Sequence, residues 1–326
     1  VKPIKRNLEL LATGSYAPER IITNEYFSEH LKLNTSADWI AEKTGIRSRR
    51  YSTRDNTSDM AAKAAELALS RSGIERSDVG FVIVATVTPD CATPCTAAIV
   101  AEKLGLTNLF CFDVNNACAG FIFALDIASR YVASGDAKYG LVIGADLGSR
   151  CVDFESRDNC YFFADGAGAV VVGPGTEHQG IVATTMETTP LSSDLNIPGG
   201  VFDAEILRSG RNTVHMNGQV VKEFALSAFV RHMTKASETA GCSVSDLAAV
   251  IPHQANMRII EAAAVKMSIP KEKLITIVTE FGNTMGASIP MALDTYMQSR
   301  KNRHPELIAL VGFGAGLSSA CTILSL

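Results

Sequence analysis

The 326-residue sequence has no C-x-x-C pair, no apolar run long enough to span a bilayer and no excess of positive charge. Each absence closes off a class of protein. The eight cysteines, at 91, 95, 111, 118, 151, 160, 242 and 321, do not frame a zinc site, and several lie inside apolar runs. Free thiols in a reducing cytoplasm fit that usage better than a disulfide scaffold. Cys91 and Cys95 are near enough for one helical turn but read as ordinary thiols. The longest apolar stretches, such as Phe81 to Val87, are too short for a transmembrane helix. The start, Val1-Lys2-Pro3-Ile4-Lys5-Arg6, is basic but lacks the apolar segment of a signal peptide, and the missing initiator methionine points to processing or trimming. The net charge of −4 and the dispersed basic residues argue against nucleic acid as a partner. The one basic cluster, Arg47, Arg49 and Arg50, reads as a solvated face.

What is present is ample apolar content, 47% of residues, in a chain long enough for two domains or one double unit. Leu8 to Ala12 reads as an opening strand. Thr23 or Asn24 caps a short helix, and Ser36 starts another that closes near Gly45. Thr57 or Ser58 caps a long helix over 60–70, stopped by Gly73. Phe81 to Val87, Leu109 to Val114, Tyr139 to Gly144 and Ala169 to Val172 read as buried strands, with helices over 96–104 and from Phe121 to Val132. Strands alternating with helices predict α/β layers around a largely parallel sheet.

The second half repeats the first at the 168-residue offset that separates Gly73 from Gly241. At that offset Ser77-Asp78 meets Ser245-Asp246, Val82-Ile83 meets Val250-Ile251, and Ala124-Leu125-Asp126 meets Ala292-Leu293-Asp294. Gly144 and Gly148 meet Gly312 and Gly316. No gap is needed from Gly73 to Gly148. Two related halves are expected, 1–174 and 175–326, joined near Gly173-Pro174-Gly175.

The repeat also places chemistry. Cys118, in Asn115-Asn116-Ala117-Cys118-Ala119-Gly120, sits at a strand-to-helix turn, where peptide N–H groups and the helix dipole are expected to lower its pKa. Alone, it reads either as a nucleophile or as a buried small hydrophobe. His253, matching Ala85, and Asn283, matching Asn115, leave strand ends of the second half. Each also has a plain structural reading, as an ordinary histidine and a turn residue. Carboxyl ends of strands are where α/β sheets bind ligands, and two facing halves would bring the three side chains together. Gly312-Phe313-Gly314-Ala315-Gly316 lacks the lysine of a phosphate loop; its backbone N–H groups suit an oxyanion instead.

These residues resemble a known family. Asn116-Ala117-Cys118-Ala119-Gly120-Phe121, His253-Gln254-Ala255-Asn256, Gly282-Asn283-Thr284 and Gly312-Phe313-Gly314-Ala315-Gly316 are similar to the motifs of β-ketoacyl-acyl-carrier-protein synthase III, an initiating condensing enzyme of the thiolase superfamily. Asp38-Trp39-Ile40, Thr44-Gly45-Ile46-Arg47 and Asp165-Gly166-Ala167-Gly168-Ala169 extend the resemblance over nearly the whole chain. It implies a five-layered α-β-α-β-α fold of two duplicated halves, usually a homodimer, needing no metal or redox cofactor. It implies that Cys118 takes an acyl group from acyl-CoA. Malonyl-acyl carrier protein then loses CO2 and attacks the acyl-cysteine, with His253 and Asn283 donating hydrogen bonds to the malonyl thioester oxygen. The backbone N–H groups of Cys118 and Ala315 are the implied oxyanion hole. Trp39 and Arg157 are implied at the CoA adenine, Asn256 at the pantetheine arm, and Arg258 at the tunnel mouth, where carrier protein docks.

Four positions depart from the family pattern. Lys43 replaces a CoA-contacting arginine, Lys222 an apolar tunnel residue, Glu223 a basic docking residue, and Thr93 a bulky aromatic that shortens the acyl pocket. These changes predict a primer that is not simply acetyl-CoA but longer, branched or polar. They also leave open a dedicated ketosynthase or acyltransferase of secondary metabolism or vitamin-precursor synthesis. A degradative thiolase is disfavoured because Val311 to Gly316 lacks a second cysteine. A Cys-His-Asn protease does not fit the repeat, and a non-enzymatic carrier-binding role does not need the intact Cys118, His253 and Asn283.

Overall fold

The computed structural model describes residues 6–198, 205, 212–300 and 305–326; the basic start at residues 1–5 lies outside them. In the first half the chain runs β1 (Glu9–Tyr16), β2 (Ile21–Thr23), α1 (Ala37–Thr44), β3 (Ser48–Arg50), α2 (Thr57–Ser72) and β4 (Val79–Ala85). It continues through α3 (Thr96–Lys103), β5 (Phe110–Val114), α4 (Gly120–Ser134), β6 (Tyr139–Leu147) and β7 (Asp165–Gly173). The second half contains β8 (Gly180–Thr188), β9 (Leu195–Asn196), β10 (His215–Met216), α5 (Gly218–Ala240), β11 (Leu247–Pro252) and α6 (Met257–Lys266). After these come the short α7 (Val278–Phe281), α8 (Ser288–Ser299), β12 (Leu307–Gly314) and β13 (Ser318–Ser325).

Local signals explain the helix starts. Ser36 accepts a hydrogen bond from the Trp39 N–H and opens α1, and Gly45, at φ 74°, closes it. α2 begins at Thr57, three residues earlier than expected, with Asn56 as cap and Asp59 completing a capping box. Thr57 and Ser58 do not cap because their hydroxyls are committed across the fold, to the Thr88 carbonyl and to Asp90. Nor does Asn24 cap a helix. Its amide donates to the Ile46 carbonyl, and the next helical element is a π-helical turn, Tyr26–His30. Arg49 is buried rather than part of a solvated face. The carbonyls of Ile22 and Tyr161 and Asn24 Oδ1 replace its water, and its guanidinium lies 4.8 Å from the Phe27 ring centroid.

Two sheets carry the fold. The first has the order β1-β7-β6-β4-β5 and the second β8-β13-β12-β11. They are mixed, not largely parallel. β4 runs parallel to β5 and β6, and β11 parallel to β12, but the remaining pairs are antiparallel. The reason is the connection: no α-helix separates β6 from β7 or β12 from β13, so each strand returns beside its predecessor. β5 is an edge strand in the first sheet, whereas its counterpart at the 168-residue offset falls on α7. There the second sheet keeps only a parallel bridge, Val250 to Leu274.

Five layers result. α4 and α8 lie between the sheets, burying Phe121, Ile122, Leu125, Ile289 and Leu293 against Ile83 and Val142 on one side and Ile251 and Leu310 on the other. α2 and α3 cover the outer face of the first sheet, through Ala61, Ala64, Ala65, Ala68 and Val100. α5 and α6 cover that of the second, through Phe229, Met233 and Ala263. At about 25 cal/mol per Å² of apolar surface, each large side chain in these layers contributes roughly 2 kcal/mol. Among the described residues one helical stretch, 117–134, is long and apolar enough to cross a bilayer, and it is this central core helix.

Candidate active site

Cys118 lies in a 3₁₀ turn, Ala117–Ala119, between β5 and α4. Its partners come from the other half. The His253 N–H donates to the Val311 carbonyl (2.8 Å), which extends the β11–β12 ladder one residue and carries the imidazole off the strand end. Asn283 follows α7 and is clamped to the first half. Its N–H donates to the Phe162 carbonyl (2.9 Å), and its carbonyl accepts from the Ala164 N–H (2.9 Å). Cys118, His253 and Asn283 all line one cavity of about 1240 Å³.

The hydrogen-bond partners decide what each group offers. Asn283 Oδ1 accepts from the Met285 N–H (2.9 Å). Only an oxygen can accept there, so the amide orientation is set and the Nδ2 hydrogens are left for a ligand. Nδ1 of His253 is 2.7 Å from the Ser288 hydroxyl, and the Phe313 ring stands edge-on, with centroids 5.1 Å apart. Burial without a carboxylate partner pushes the His253 pKa down from 6.5 to about 3, so the imidazole is neutral.

The Cys118 thiol departs from expectation: its pKa is raised, not lowered. Burial is the main cause, and the charge of Asp146 adds to it; the cysteine's own backbone N–H opposes both and is outweighed. Asp146 is itself buried, with its pKa pushed up to about 6 although donors surround it. Its Oδ1 accepts from the Val87 N–H and from the hydroxyls of Thr86 and Thr88; its Oδ2 accepts from the Gly286 N–H. Gly314 closes the other side of the nucleophile turn. A Cβ there would lie 2.6 Å from the Cys118 nitrogen, so only glycine lets β12 approach.

Of the remaining candidates, Ala315, Lys43, Lys222, Asn256 and Arg258 line the same cavity. Asn256 is already occupied: its Oδ1 accepts from the Arg258 N–H, capping α6, and its Nδ2 donates to the Lys43 carbonyl. Arg258 Nε donates to the Glu42 carbonyl (2.8 Å), so α6 and α1 are tied together at the cavity wall. Trp39 and Arg157 flank the cavity instead of lining it. The Arg157 guanidinium lies 5.7 Å from the Trp39 ring centroid and donates to the Asn34 carbonyl, and Trp39 sits one helical turn from Lys43. Thr93 is not among the described residues that line this cavity. It lies on an exposed loop between β4 and α3, of which Val87 and Pro89 reach the cavity wall. Residue-by-residue reading missed Ser288, Asp146 and Met285, which act on the three candidates and not on a substrate. The repeat held a signal for Asp146, which occupies the first-half position matching Gly314.

Family models match two stretches. Residues 112–190 match the model described as 3-oxoacyl-[acyl-carrier-protein] synthase III, and residues 237–326 match its C-terminal model. The beta-ketoacyl-[acyl-carrier-protein] synthase III of Clostridium acetobutylicum is 40% identical over 324 residues, 98% of either chain. Among solved structures, the 3-oxoacyl-[acyl-carrier-protein] synthase III of Aquifex aeolicus superposes with a TM-score of 0.91 at 36% identity, covering 98% of this chain and 100% of that one. The priming beta-ketosynthase of the R1128 polyketide pathway superposes with a TM-score of 0.92 at 32% identity, covering 100% and 98%.

Proposed function

Because the chain belongs to the 3-oxoacyl-acyl-carrier-protein synthase III family, we propose that its cavity carries out a decarboxylative condensation initiating fatty acid synthesis. An acyl-CoA primer and malonyl-acyl carrier protein give 3-oxoacyl-acyl carrier protein, CoA and CO2. The convergence of Cys118, His253 and Asn283 from two halves on one cavity carries this reading.

In the first half-reaction Cys118 sulfur bonds to the primer carbonyl, the bond to the CoA sulfur breaks, and the thiol proton ends on the departing CoA. The N–H groups of Cys118 and Ala315 face the developing oxyanion. In the second, the malonyl C–CO2 bond breaks and its electrons form an enolate. His253 and Asn283 donate to the thioester oxygen that takes the charge. The enolate carbon then attacks the acyl-cysteine, and the released sulfur takes a proton from solvent. The first half, 1–174, supplies the nucleophile, and the second, 175–326, the two donors. No metal or redox cofactor enters.

Lys43, Arg258 and Lys222 bring three cations to the cavity wall from α1, α6 and α5, which suits the phosphates of CoA and of the carrier protein's arm. Lys222 also supports a primer longer, branched or more polar than acetyl. The edge strand β5, with half-buried Phe110, Phe112 and Val114 and one side unpaired, supports a homodimer. The reading places the enzyme in the cytoplasm. The dedicated secondary-metabolic alternative is not favoured by relatives that match over the full length. A reconstituted assay with acyl-CoA and malonyl-acyl carrier protein tests the proposal. Formation of 3-oxoacyl product with release of CO2 and CoA is expected, and its loss in His253→Ala and Asn283→Ala. Undiminished product from either variant contradicts the assigned roles.

A further inference from the structure

We propose that Ser288 is a positioning residue that fixes the His253 proton on Nε2, the ring nitrogen left for the substrate. This rests on the reading above and adds to it the one atom that must carry the hydrogen.

Proton accounting leads there. Ser288 opens α8 and is fully buried. Its Oγ is 2.7 Å from His253 Nδ1 and 3.3 Å from the Gln254 nitrogen. The Gln254 N–H can only donate, so the serine oxygen accepts from it. The serine has a single hydrogen, and among the described residues His253 Nδ1 is the acceptor within reach. The hydroxyl therefore donates to Nδ1, and a neutral imidazole with Nδ1 as acceptor carries its proton on Nε2. Burial keeps the ring neutral, with its pKa near 3.

The tautomer matters because both donors to the malonyl oxygen are set in the same manner. Met285 N–H claims the oxygen of Asn283, and Ser288 O–H claims the lone pair of His253, leaving N–H groups for the enolate oxygen. With the proton on Nδ1, a lone pair would face that oxygen and repel it. It also follows that Nε2 is not the base for the Cys118 proton in the first half-reaction. That proton passes to the CoA sulfur as the new C–S bond forms and the old one breaks.

The test is nitrogen-15 NMR of the histidine-labelled enzyme, with His253→Gln identifying the signal. A neutral, Nε2-protonated ring is expected; an Nδ1-protonated or rapidly exchanging ring in the wild type overturns the proposal and needs no Ser288 variant. In Ser288→Ala, mixed tautomers are expected, with malonyl decarboxylation reduced about 10-fold, the value of one hydrogen bond. Loading of Cys118 should change less than that, and Ser288→Thr should recover part of the decarboxylation. A Ser288→Ala enzyme with wild-type tautomer and decarboxylation also overturns it. Full decarboxylation by His253→Gln would instead remove the role assigned to His253 itself, and so separates the two failures.

Discussion

Two turns of the molecule share one backbone plan and differ in what faces them. The Cys118 turn and the Gly286 turn are related by the 168-residue offset. Each begins with a non-glycine residue at positive φ, Ala117 at 48° and Met285 at 53°, and each leads through a 3₁₀ turn into a central helix. At the second turn the Gly286 N–H donates to Asp146 Oδ2 (2.8 Å), and the nearby Leu147 N–H donates to the Thr88 hydroxyl (2.9 Å). The counterparts of those two N–H groups are Cys118 and Ala315, and the counterpart of Asp146 is Gly314, which has no side chain. One copy thus holds a permanent carboxylate against its turn. The other leaves that position clear beside a thiol. The Gly286 N–H lowers the Asp146 pKa against the larger rise from burial, so this N–H of the turn stabilises an anion, which supports the oxyanion role proposed for its counterpart, the Cys118 N–H.

Removing the thiol, which its counterpart Gly286 lacks, should have the largest effect. Cys118→Ala is expected to lower condensation by on the order of 10³-fold or more, as loss of a covalent nucleophile does, measured as 3-oxoacyl product. Filling the cleared position comes next. Gly314→Ala sets a methyl 2.6 Å from the Cys118 nitrogen, so the turn must shift. Acyl loading should fall about 10²-fold, the scale for a lost oxyanion donor, with far-UV circular dichroism unchanged.

The His253 position sharpens the contrast through pH. Its counterpart is Ala85, so only one half carries a titrating group there. The unfolded chain protonates this histidine near 6.5, the folded chain only near 3. Its contribution to stability is full above pH 6.5 and is lost as pH falls toward 3, at roughly 1.4 kcal/mol per pH unit. Denaturant midpoints across that window should slope less steeply in His253→Gln. The smallest catalytic effect is expected from Asp146→Asn. Loss of the buried charge should move the pH profile of Cys118 alkylation toward lower pH, because Asp146 raises the thiol pKa. The amide cannot accept from all four donors, so stability should drop by about 1–3 kcal/mol, seen in thermal melts.

Much of this plan was legible in the residues. The repeat register placed β4 on β11 and β6 on β12, and Cys118, His253 and Asn283 all line one cavity, although Asn283 leaves the helix α7 and not the strand end expected for it. What failed to show was whatever depends on contacts across the fold. Periodicity identifies a strand but not its direction, so a largely parallel sheet was expected and the antiparallel return of β7 was not. Capping preference favoured Thr57 and Ser58, but their hydroxyls serve the loop after β4. The thiol shift was misjudged because a helix start is visible in a sequence, whereas burial beside Asp146 is not. The acyl-pocket role of Thr93 came from the resemblance alone, and among the described residues Thr93 is not on the cavity wall.

The central claim is that Cys118 carries the acyl group between the two half-reactions. Intact-protein mass spectrometry after incubation with a series of acyl-CoAs tests it most directly. One acyl mass added to the wild type and none to Cys118→Ala is the expected result, with the best-loading chain identifying the primer. An equal adduct on both proteins, or no adduct from any acyl-CoA, would contradict it.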